Sequence, residues 1–157
     1  MPSVLLNVHN WNPDQQNILK INNGGHNPHI TLFHTSVQWP TDFLVDIGSA
    51  TLKSALADKY TFTLTPENVK LNSFYHERSG KTRYDVLIHL DSDGAKYIED
   101  LREIVRKTAP PTDLEKLNMR TPHITDSIHW DEESAQAALN DLKSQLPIQV
   151  NIQGLTI

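Results

Sequence analysis

The sequence predicts an α+β fold made of two lobes in one unit. Three observations carry this. Strand-like and helix-like segments are interleaved irregularly, with three strands in succession in the middle of the chain. The 157 residues suit one domain, or two small lobes sharing a sheet system. A tetrapeptide set in a strand-like context recurs in the same context far along the chain.

Ser3 to His9 reads as an opening strand, broken by Trp11-Asn12-Pro13-Asp14. Pro13 suits the first turn of a short helix carrying Ile18, Leu19 and Ile21, which Asn22-Asn23-Gly24-Gly25 ends. Pro28 to Thr35 is the second strand. A helix is expected from about Thr41 to Asp58, with Leu44, Leu52, Ala55 and Leu56 as its buried stripe and Gly48 as a weak point. Tyr60, Phe62 and Leu64 alternate with Thr61, Thr63 and Thr65, the pattern of a half-buried strand. Val69 to Glu77 and Arg83 to Asp91 form a hairpin around Arg78-Ser79-Gly80-Lys81. A helix over Asp93 to Lys107 presents Ile98, Leu101, Ile104 and Val105. Pro122 to Trp130 is a strand. Asp131-Glu132-Glu133 opens a last helix, its acids placed at the positive end of the dipole. Pro147 to Ile157 closes the chain as a strand.

Composition narrows the function. The net charge of −5 argues against a duplex-DNA binder, which usually carries a basic face, yet it allows a local cationic pocket for a small anion or a short single strand. There are no cysteines, so disulfides and thiolate metal sites are impossible. The N-terminal stretch lacks the basic region of a secretory signal, and no apolar run is long enough to span a bilayer. The expectation is a cytoplasmic monomer without a membrane partner.

The repeated tetrapeptide is the chemical signal. Pro28-His29-Ile30-Thr31 recurs as Pro122-His123-Ile124-Thr125, the histidines 94 positions apart. A lone His-x-Thr means little in a chain with 8 histidines, and His34-Thr35-Ser36 is a near match. Strand geometry makes the pair specific. Residues two apart share a face, so each imidazole sits beside its threonine hydroxyl. By the same alternation His34 falls on the face opposite His29. His129 shares a face with His123, but at roughly 20 Å along an extended strand. Neither is expected in the pocket.

Two imidazoles and two hydroxyls suit phosphodiester chemistry. Histidine can take a proton from a nucleophile or give one to a leaving oxygen near neutral pH. Hydroxyls can donate to the non-bridging oxygens as charge builds on them. No His-x-His or His-x-x-x-His pair is present, so no metal and no other cofactor is expected.

The paired motifs, PHITLF and PHITDSIHW, resemble those of the 2H phosphoesterases, with strand context and length in agreement along nearly the whole chain. Asp126 departs from the resemblance, standing where that family commonly has an apolar residue. The resemblance implies antiparallel sheets flanking a central cleft, helices outside, and His29, Thr31, His123 and Thr125 as the catalytic set. It also implies a nucleotide phosphodiester as substrate: a 2′,3′-cyclic phosphate, a 2′,5′-oligoadenylate, a cyclic oligonucleotide or a short RNA. The other reading is a non-catalytic module that binds nucleotides or RNA ends. Tyr75 is the preferred base-stacking residue among Tyr75, Tyr84, Trp11 and Trp130. Arg78, Lys81 and Arg83 cluster at the hairpin turn, where a phosphate could be gripped, and Arg120 stands just before the second motif.

Overall fold

The computed structural model describes residues 2–10, 19, 22–23 and 25–157. The helix expected after Pro13 lies outside the described residues, although Leu19 is in the core. The strands are β1 (Ser3–Asn10), β2 (His29–Thr35), β3 (Thr61–Leu64), β4 (Val69–His76), β5 (Lys81–His89), β6 (Leu117–Asn118), β7 (His123–His129) and β8 (Ile148–Thr156). The main helices are α1 (Thr41–Asp58), α2 (Ser92–Thr108) and α3 (Glu132–Gln145). Short 3₁₀ turns at Pro66–Asn68 and Pro111–Lys116, and the two-residue β6, carry too little pattern to be read from sequence.

The strands form one antiparallel sheet in the order β3-β8-β1-β2-β7-β5-β4, with β6 added beside β2. The two expected sheets are therefore two halves of one. They meet through a single register pair, Ile30 with Ile124. These are the central residues of the two His-Ile-Thr motifs. In an antiparallel pair, residues flanking a matched position face the same side. His29, Thr31, His123 and Thr125 are thus brought onto one face, opposite the two buried isoleucines.

That buried face carries the core. Val4, Leu6, Val8, Ile30, Leu32, Val86, Ile88, Ile124, Ile148 and Val150 join one apolar cluster with residues of all three helices. Helix α1 packs on β8 and β1, α2 on α1 and β2, and α3 on β4, β5 and β7. In α1 the buried residues are Leu44, Ile47, Gly48, Thr51 and Ala55; Leu52 is half-buried and Leu56 is exposed, which rotates the stripe from its expected position. Gly48 explains the rotation. A β-carbon there would come within 2.8 Å of Leu155 and 3.4 Å of Val4, so the helix is turned to bring its bare backbone against the sheet. Asp91 and Asp131 cap α2 and α3 by accepting from the amides of Gly94 and Ser134. Among the described residues no helix is long and apolar enough to cross a membrane.

Candidate functional site

The sheet face opposite α1, α2 and α3 holds a cleft of about 330 Å³. His29, Thr31, His123 and Thr125 all line it, together with Arg83 and Arg120. Six of the residues named from sequence therefore share one cavity, whereas Tyr84, Trp130, Arg78 and Lys81 do not line it and Trp11 lies outside the described residues. Tyr75 does not line it. Its register partner is Thr82, on the helix-facing side of β4, where it is 63% exposed beyond the core.

The two histidines are held alike. The Nδ1–H of His29 donates to the carbonyl of Asn27 at 2.7 Å, and that of His123 to the carbonyl of Thr121 at 2.9 Å. A carbonyl only accepts, so each Nδ1 must carry its proton. Nε2 is then the nitrogen left for a substrate in both rings, an acceptor when the ring is neutral and a donor when it is charged. Burial lowers the His29 pKa from its ordinary 6.5; the bond to Asn27 offsets part of this, and the smaller effects of the His26 and His123 imidazoles lower it further. His29 is thereby biased toward the neutral form. Among the described residues neither Thr31 nor Thr125 spends its hydroxyl on a protein partner.

Two face assignments made by simple alternation are overturned. His34 lines the cleft, and His129, which stays out of it as expected, lies on the face opposite His123. The cause is a β-bulge in each motif strand. Opposite β1 the register runs from Val4–Phe33 to Leu5–Thr31, so Leu32 is an extra residue. Opposite β5 it runs from Val86–Ser127 to Leu87–Thr125, so Asp126 is extra. Each bulge reverses the alternation beyond it. His34 swings into the cleft opposite Ser3, and Ile128 takes the equivalent place on β7, while His129 turns away to bond Ser127. Two adjacent buried apolar residues, Leu32 and Phe33, are the sequence trace of the first bulge. Asp126 occupies the position equivalent to Leu32. Burial raises its pKa, and its hydrogen bond with Ser127 partly offsets that.

Other residues of the site gave little sequence signal. Arg102 stands on the apolar stripe of α2 and is buried, yet it lines the floor of the cleft. Its Nε donates to the carbonyl of Leu32 at 2.9 Å and one Nη to that of Thr31 at 3.1 Å, while the other Nη pairs with Glu99 at 2.7 Å. Where the β2–β7 ladder ends, this guanidinium takes over as donor to the β2 backbone. Asn23 bridges the same gap from the other side. Its side chain accepts from the Ile128 amide at 2.7 Å and donates to the Ile128 carbonyl, as a neighbouring strand would. Arg83 forks onto Asp85 with two bonds of 2.9 Å. Arg120 has no carboxylate partner among the described residues, and its charge helps to lower the His34 pKa after burial has done most of it.

Neither a family model nor a curated protein sequence matches the chain. Solved structures do. Usb1 from Kluyveromyces marxianus covers 98% of this chain and 95% of its own at 11% identity, with a TM-score of 0.51. Kluyveromyces marxianus Usb1 with uridine monophosphate covers 91% and 80% at 14% identity, with a TM-score of 0.49. The chain shares the fold of Usb1. It is the α+β, 2H phosphoesterase-like architecture that the paired motifs implied.

Proposed function

We propose that the protein is a metal-independent phosphodiesterase acting on a nucleotide phosphodiester. The observation that carries this is the meeting of two His-Thr pairs in one cleft, each imidazole oriented through Nδ1 so that Nε2 is left for the substrate. The fold shared with Usb1 supports it.

The chemistry follows from the bias at His29. Neutral His29 accepts the proton of the attacking oxygen through Nε2. As the new P–O bond forms, the bond to the leaving oxygen breaks, and His123 in its charged form supplies the proton that oxygen needs. Thr31 and Thr125 donate to the non-bridging oxygens as their charge grows. Arg120, with no carboxylate to neutralise it among the described residues, is the cation for the phosphate. With a 2′,3′-cyclic phosphate the nucleophile is water and the product a monophosphate. With an internal linkage beside a free hydroxyl, that hydroxyl attacks and a cyclic phosphate results.

The test is incubation with 2′,3′-cyclic nucleotides, 2′,5′-oligoadenylate and 3′,3′-cyclic dinucleotides, with products identified by mass. Cleavage of at least one class is expected. Binding without cleavage of any member would make the protein a nucleotide-binding module and overturn the reading.

A further inference from the structure

The two cleft-lining arginines beside the motifs, Arg83 and Arg120, differ in one respect that decides what each can bind. Arg120 keeps its charge uncompensated among the described residues, whereas Arg83 is already spent on Asp85. Its Nε and one Nη are both taken in a bidentate fork, with Arg83 30% and Asp85 12% exposed. A guanidinium paired in this way has lost most of its pull on a phosphate. What remains is a flat, rigid surface.

That surface is backed by an aromatic ring. Phe74 is the register partner of Arg83, and the guanidinium carbon lies 4.4 Å from the centre of the Phe74 ring. Phe74 is 41% exposed on β4, the edge strand, although an exposed phenylalanine is costly there unless something covers it. Its neighbours on this face are Asn72, opposite Asp85, and Lys70, opposite Leu87, so the face is continuous with the cleft. Trp130, 47% exposed, follows β7 at the same end, one step beyond the Tyr84–His129 pair, and rests on the ring of His76. Arg83 stands four residues along β5 from Leu87, the partner of Thr125, or roughly 13 Å of extended strand. From there its side chain reaches back into the cleft.

We propose that Arg83, clamped by Asp85 and stacked on Phe74, is a shelf for a nucleobase of the substrate, and that Arg120 alone grips the phosphate. This rests on the phosphodiesterase reading for the position of the phosphate, but not for the existence of the shelf. A planar cation whose charge is already neutralised favours a π-face over an anion, and every base offers a π-face. The shelf therefore selects nucleotides over other phosphodiesters without selecting strongly among bases. The aromatic residue that serves is Phe74, which lies on the cleft side of the sheet behind Arg83, and not its neighbour Tyr75, which lies on the other side.

Calorimetry with adenosine 3′-monophosphate and with 1-O-methylribose 3-phosphate, the same molecule without its base, tests this without any turnover. The native protein is expected to favour the nucleotide by about 5- to 150-fold, the range of one stacked base. Phe74→Leu and Arg83→Lys should each collapse that preference, the second while keeping the positive charge. Arg120→Gln should weaken both compounds alike and leave the preference intact. Phe74 is an exposed edge residue, so the leucine variant should stay folded even if Arg83→Lys strands Asp85. An unchanged preference in Phe74→Leu, or equal weakening of both compounds by Arg83→Lys, would overturn the proposal. A native protein that shows the preference but cleaves nothing sinks the phosphodiesterase reading and leaves the shelf standing. A native preference near one sinks the shelf alone.

Discussion

At the scale of single residues, His29 and His123 are oriented by the same bond, and at His29 burial opposes protonation more than the bond to Asn27 offsets, with His26 and His123 adding to the opposition. A base works only when neutral, so turnover should rise with pH through a point below 6.5, and the acid limb of kcat/KM should lie there. The ring centres of His26 and His29 are 6.1 Å apart. Replacing His26 with Gln removes one opposing charge, and the acid limb should move up; a limb that stays put, or moves down, would show that His29 does not govern it. Stability has the same sign. The unfolded chain takes up the His29 proton near pH 6.5 more readily than the folded one, so denaturant midpoints should fall as pH drops through that value.

Among the elements, β2 is the one whose position decides the site. It carries one motif, pairs with β7 at Ile30 only, and depends on Arg102 of α2 for donors at Thr31 and Leu32. Arg102→Met would leave both carbonyls and Glu99 without this partner, costing about 2–5 kcal/mol of stability in urea melts. It should also lower kcat more than it raises KM, because the shift falls on the motif strand and not on a group touching substrate. A variant with native stability and kcat would show that β2 holds its place without α2. Most elements were legible in the chain because their signals are local. Helix α1 falls on its expected span, and α2 and α3 differ by a residue or so. The facing of His34 and His129 was not legible, since one inserted residue reverses every side chain beyond it and costs the sequence only an adjacent Leu32-Phe33 pair. Arg102 was hidden for the opposite reason. On an apolar helical stripe a lone arginine reads as solvent-facing, and only the tertiary fold supplies the carbonyls that allow it to be buried.

Across the whole molecule, the repeated motif predicted a meeting that only topology could deliver. The Ile30–Ile124 pair joins two half-sheets and sets the four motif side chains on one face, while α1, α2 and α3 pack the other. An acidic chain of net charge −5 can still present a local cation to this cleft, because Arg120 lines it without a carboxylate partner among the described residues. Position alone did not separate the two arginines; the pairing of Arg83 with Asp85 does. The most direct test of the central claim is turnover of the best cleaved nucleotide in excess EDTA by the native protein, His29→Ala and His123→Ala. The native rate should survive chelation, and each variant should lose about 10²- to 10⁴-fold in kcat with its melting unchanged. Activity lost to EDTA and restored by a divalent ion, or a native rate in His123→Ala, would contradict it.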